Sequence, residues 1–213
     1  MPMDFTFVLV CEAIALDTLF EGVEQHLLSL GFSRDRELLV SNHEDKPDSE
    51  QEISLFVKDL VEEKASLQGW HSIYMEFYSS EFSFGIQFDL GAQGLAEGYI
   101  FINMSKMRRL HRDAIPFGFY DMISGIAALV EAIGGYGGFE AAQKPAPPQQ
   151  TLSQLLANPG DRNLWFDVHI VEVTRLASTN AENAWARDFE RVESRGLVFF
   201  IEREFLSLCN EFG

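Results

Sequence analysis

Residues Phe5 to Val10 are an unbroken aromatic and β-branched run, which predicts a strand buried on both faces. Leu16, Phe20, Val23, Leu27 and Leu30 then recur at helical spacing, and Gly31 supplies the stop. A second strand is expected around Glu37 to Val40, followed by a charged loop from Ser41 to Glu50. Ile53, Phe56, Val57, Leu60 and Val61 return every three or four residues, which predicts a helix closed by Gly69.

Three runs of strict alternation follow. Ile73, Met75 and Phe77 share one face of the first, Phe82 to Leu90 alternates through Phe84, Ile86 and Phe88, and Ile100, Ile102 and Met104 share one face of the third. The intervening residues are Tyr74, Glu76 and Tyr78, then Ser83, Gly85, Gln87 and Asp89, then Tyr99, Phe101 and Asn103. Such runs predict an antiparallel meander with one more polar face.

Pro116 opens a helix that is apolar nearly all round and ends at Gly134. The run Gly134 to Gly138 follows this helix. A phosphate-binding loop would instead follow a strand and open a helix, so the run reads as a helix stop and hinge. Lys144 to Gln150, with three prolines, reads as a linker or surface loop. A short helix capped by Thr151 and Gln154 comes next, then a strand from Leu164 to Val173. Thr179 and Glu182 open a helix presenting Ala181, Trp185, Phe189 and Val192, and Gly196 ends it. Leu197 to Ile201 is a further strand, and Phe205, Leu208 and Phe212 mark a last helix.

The expected class is therefore α+β, an antiparallel sheet meander flanked by strand-helix-strand units with helices packed on one face. Residues 1–138 would form an α+β domain, 139–150 a linker or surface loop, and 151–213 a C-terminal unit packed on the first. Strand-helix-strand units start near Phe5 and Phe166, but their residues match poorly, so duplication is not required.

Composition supports a packed core, since 46% of residues are hydrophobic and 19 are Phe. Cys11 and Cys209 both lie in apolar segments and read as buried free thiols of a reducing cytoplasm. The first 17 residues lack the basic start of a signal peptide, and Asp121, Gly125 and Glu131 interrupt the most apolar helix, so neither a leader nor a membrane span is expected.

Candidate chemistry is sparse. His26, His43, His71, His111 and His169 are scattered, without H-E-x-x-H or C-x-x-C, so neither a metal nor another cofactor is expected. No nucleophile elbow occurs. Asp167 and His169 lie two apart in a strand pattern, hence on one face, where a carboxylate could orient an imidazole. A structural role in a buried strand competes with that reading. Lys106, Arg108, Arg109, His111 and Arg112 form a basic cluster that could grip a phosphate or an acidic peptide, or pair with the chain's own carboxylates.

Charge points outward most clearly. The net charge is −17, and residues 1 to 65 carry 15 Asp or Glu against 5 Lys or Arg. Glu44, Asp45, Asp48, Glu50 and Glu52 are the densest part, and such a chain repels nucleic acid. The reading that follows is a non-enzymatic cytoplasmic binding protein, an acidic inhibitor or immunity-type protein that docks a basic toxin or enzyme through these carboxylates. The alternative is a small-ligand-binding protein or hydrolase-like enzyme with a pocket near Asp167 and His169, using Tyr74, Glu76 or Tyr99. A third reading makes Tyr74, Tyr78, Tyr99 and Phe101 an aromatic homodimer face.

Overall fold

The computed structural model describes residues 4–11, 16–42, 51–56, 72–79, 83–90, 96–112, 116–139, 141 and 146–211. The strands are β1 (Asp4–Cys11), β2 (Ser33–Asn42), β3 (Gln51–Phe56), β4 (Ser72–Tyr78), β5 (Ser83–Leu90), β6 (Ala96–Asn103), β7 (Ala132–Phe139), β8 (Val168–Glu172), β9 (Phe189–Ser194) and β10 (Leu197–Glu202). Among the described residues they form one ten-stranded sheet in the order β3-β2-β4-β5-β6-β1-β7-β8-β10-β9. Every neighbouring pair is antiparallel. The class is the expected α+β, and the meander is β4, β5 and β6.

The first face carries the main core. Phe5, Phe7 and Leu9 of β1, Met75 and Phe77 of β4, and Ile100 and Ile102 of β6 are all fully buried on it. Four helices cover it: α1 (Leu16–Ser29), α2 (Met104–Arg112), α3 (Pro116–Leu129) and α7 (Arg203–Glu211). Aromatic pairs tie helix to strand, with Tyr120 of α3 4.9 Å from Phe199 of β10 and Phe205 of α7 5.2 Å from Phe5. Each such pair adds about 0.5–1.5 kcal/mol beyond its area burial.

The second face is covered on one side. Helix α4 (Pro148–Ala157) packs over β1 and β7. A 3-10 turn (Arg162–Leu164) and the short helices α5 (Val173–Leu176) and α6 (Ala181–Trp185) follow. With α4 they enclose a second apolar cluster that includes Tyr136, Leu155, Phe166, Trp185 and Phe200.

Several elements differ from their expectation. The glycine run is no hinge, since Ala132–Phe139 is a strand and Gly134 to Gly138 are buried between β1 and β8. Glycine is required there by close approach, because a Cβ on Gly135 would collide with the Val8 carbonyl oxygen. Ile53 and Phe56 lie in β3, opposite Val40 and Glu37 of β2, and not in a helix. A free strand edge on β2 offers that segment a hydrogen-bond ladder, which overrides its helical spacing. Residues 57–71, which the expected helix would include, lie outside the described residues.

The C-terminal unit shows the same effect. Its expected long helix stops at Trp185, and Phe189 and Val192 instead belong to β9, facing opposite sides of the sheet. A two-residue turn at Arg195 (φ 49°) and Gly196 (φ 81°) joins β9 to β10, which is the mirror-image turn that suits strand twist. Thr151 caps nothing. It is buried within α4, its hydroxyl donates to the Ala146 carbonyl at 3.3 Å, and it acts on the Tyr136 phenol of the sheet below.

Candidate functional site

One row of side chains on the second face links strands far apart in sequence. Tyr74, Gln87, Tyr99, Val8, Tyr136, His169 and Phe200 are successive cross-strand partners from β4 to β10. The α4 layer divides the row. Val8, Tyr136, His169 and Phe200 are buried beneath or beside it, whereas Tyr74, Gln87 and Tyr99 remain half-exposed.

The half-open part is aromatic and acidic. Tyr74 lies across Gly85, where any Cβ would strike the phenol ring, so this glycine makes the seat for the tyrosine. The Tyr74 and Phe101 rings are 6.4 Å apart, and Phe101 stands 6.1 Å from Tyr99 with planes only 12° from parallel. Asp89 and Glu97 face one another directly across β5 and β6. Like charges at opposed positions are destabilising, so this pair costs the fold something.

Neutral donors hold both carboxylates. Gln87 Nε2 donates to Asp89 Oδ1 at 3.0 Å and Oδ2 at 3.1 Å, and the Tyr99 hydroxyl donates to Glu97 Oε2 at 2.8 Å. Burial and that bond push the Tyr99 phenol far above its ordinary range. Burial, then Glu76 and Asp4, push the Tyr74 phenol up. The charged side chains described on this part of the face are therefore Asp4, Glu76, Asp89 and Glu97, all carboxylates.

Asp167 and His169 are not assembled as an acid-base pair. His169 has no exposed surface and lies 4.3 Å from the Trp185 ring and 4.6 Å from that of Phe189. Its Nε2 accepts a 3.4 Å bond from the Phe166 amide, and its Nδ1 is buried without a partner. Burial in this apolar surround pushes the imidazole down to about 3. Asp167 precedes β8 and accepts from the Phe139 amide at 3.3 Å. The separation arises because β8 begins at Val168, so Asp167 falls outside the alternation that the sequence implied.

Burial raises the Asp167 carboxyl above its ordinary range. A raised carboxyl stabilises the fold below its unfolded pKa, and that contribution is lost as pH rises through the folded value. Asp167→Asn keeps an acceptor for Phe139 without the charge. It is expected to raise the denaturation midpoint at pH 7 and leave it unchanged at pH 3, where both side chains are neutral; a lower midpoint at pH 7 would contradict this.

The remaining nominated residues lie elsewhere. Glu44, Asp45, Asp48 and Glu50 are outside the described residues, and Glu52 is on β3, at the sheet edge beyond β2 and β4. Arg108 and Arg109 lie on α2, both engaged in interactions within the protein, and Arg108 is close enough to Cys209 on α7 to lower its thiol pKa. Arg112 ends the same helix. Both cysteines are buried, and burial pushes Cys11 up to about 12 and Cys209 up to about 11. A cleft of about 340 Å³ lies between the end of α3 and the β9-β10 turn, with Glu131, Glu172, Arg175 and Arg195 on its walls. None of the nominated residues lines it.

Gln87, Asp89 and Glu97 were not singled out by sequence reasoning. Gln87 and Asp89 were legible as the polar alternates of β5, but nothing local places Asp89 opposite Glu97. Comparison with family models gives no match to this chain, and comparison with curated proteins gives none either. Among the described residues, no helix is long and apolar enough to cross a membrane.

Proposed function

We propose that the chain is a binding protein that performs no chemistry of its own and holds a basic partner protein on the half-open part of the second face, as an inhibitor or immunity-type protein would. The observation that carries this reading is the grouping of Asp4, Glu76, Asp89 and Glu97 around the Tyr74, Phe101 and Tyr99 rings. Aromatic area supplies desolvation at a docking surface, and complementary charge speeds encounter and fixes register. The net charge of −17 adds long-range attraction for a cationic surface. The acidic run from Glu44 to Glu52 adds to the negative charge that attracts a cationic partner in this proposal.

Affinity capture followed by reconstitution with the purified partner provides the test. The double variant Asp89→Lys/Glu97→Lys is expected to weaken binding at least about 30-fold, the cost of unpairing a desolvated charge contact. Glu182→Lys/Glu190→Lys, on exposed positions of α6 and β9, should leave affinity within about twofold, as rim charges do. An acidic partner, or equal binding by both variants, would refute the proposal.

A further inference from the structure

Resting on that reading, we infer that the partner engages this face through an arginine, with the guanidinium seated between Asp89 and Glu97 and lying along the Tyr99 ring. The two carboxylates are direct cross-strand partners, so their Cβ atoms are about 4.5–5.5 Å apart. That spacing places two negative groups within reach of one planar fork. Neither carboxylate is paired with a cation among the described residues. Gln87 and Tyr99 fix their positions with neutral donors and leave both charges in place.

Each oxygen of Asp89 accepts one bond from Gln87 and keeps a second lone pair. The Tyr99 and Phe101 rings are stacked, 12° from parallel, and Tyr99 stands two residues from Glu97 on the same face of β6, so a planar aromatic side chain lies next to the pair. A guanidinium is planar, carries five donors in a fixed fork and stacks on aromatic faces with little hydration to lose. An ammonium offers a compact, strongly hydrated charge that can meet one carboxylate but cannot stack. Flatness and paired acceptors together therefore favour arginine, where charge alone would accept either cation.

The test uses the full chain, labelled with ¹⁵N, and two blocked tripeptide amides, Gly-Arg-Gly and Gly-Lys-Gly, at one ionic strength. The arginine peptide is expected to shift the Gln87 side-chain amide and the backbone amides of Asp89, Glu97 and Tyr99. It should bind at least about fivefold more tightly than the lysine peptide, within the range of a partly exposed cation-aromatic contact. Tyr99→Leu, which removes the ring, should abolish the preference of this face for the arginine peptide over the lysine peptide. Equal binding of the two peptides at this face would overturn the arginine seat and leave the basic-partner reading standing. Shifts confined to other surfaces, or no shifts with either peptide, would also overturn it. The partner reading falls separately, through the charge-reversal pair above.

Discussion

Lowering the pH from 7 to 4 is expected to remove about 3 kcal/mol more stability from the protein than from its His169→Leu variant. The imidazole is fully buried, and burial holds its pKa near 3 against an ordinary 6.5. A depressed histidine contributes stability above its unfolded pKa and loses it as pH falls toward the folded value. The loss therefore starts near pH 6.5 and continues down to about pH 3. Burial is the cause of the depression, and the rings around the imidazole are Trp165, Phe166, Trp185 and Phe189. Leucine fills similar space and cannot charge. At pH 7 the variant loses only the long bond from the Phe166 amide, about 1–2 kcal/mol for a buried donor left unpaired. Urea denaturation of both proteins at pH 7 and pH 4 measures the difference, and parallel losses would show that His169 is not the titrating group.

The second large effect comes from a single methyl group. Gly135→Ala puts a Cβ onto the backbone carbonyl of Val8, on the strand that joins the two halves of the sheet. A side chain could swing away, but a hydrogen-bonded strand cannot move alone. The expected cost is about 3 kcal/mol or more, at the upper end of overpacking penalties. Against a total stability of about 5–15 kcal/mol that is a large fraction. Gly118→Ala is the matching control, since Gly118 is exposed in α3 and its Cβ would meet nothing within 4 Å. There the same substitution is expected to stabilise by about 0.5–1 kcal/mol through helix propensity. Thermal melts of the two variants should move in opposite directions; equal shifts would mean that the β1-β7 contact is not as close as the geometry states.

The two effects also bound the candidate site. Val8 is the row partner of both Tyr99 and Tyr136, so a shift of β1 would disturb the acidic aromatic face and the buried histidine together. Charge reversal at Asp89 and Glu97 acts at the surface and spares that pairing. Melting measurements therefore separate loss of binding from loss of fold.

Alternation is a local property, and where it is strict the sequence determines the result. Met75, Phe77, Phe84, Ile86 and Ile100 had to face a core, and Tyr74, Gln87 and Tyr99 had to face away from it, because a strand sends successive side chains to opposite sides. The acidity and the two apolar cysteine settings were equally plain. Tertiary structure decided what depends on partners distant in the chain. Gly134 to Gly138 read as a stop until β1 and β8 closed on both sides of them, and Phe189 and Val192 read as helix until β10 supplied a ladder. Asp167 and His169 looked adjacent until β8 began between them. Strand register alone set Asp89 against Glu97 and Tyr99 beside Val8. Register is fixed by hydrogen bonds and packing between residues far apart in sequence, which no local pattern encodes.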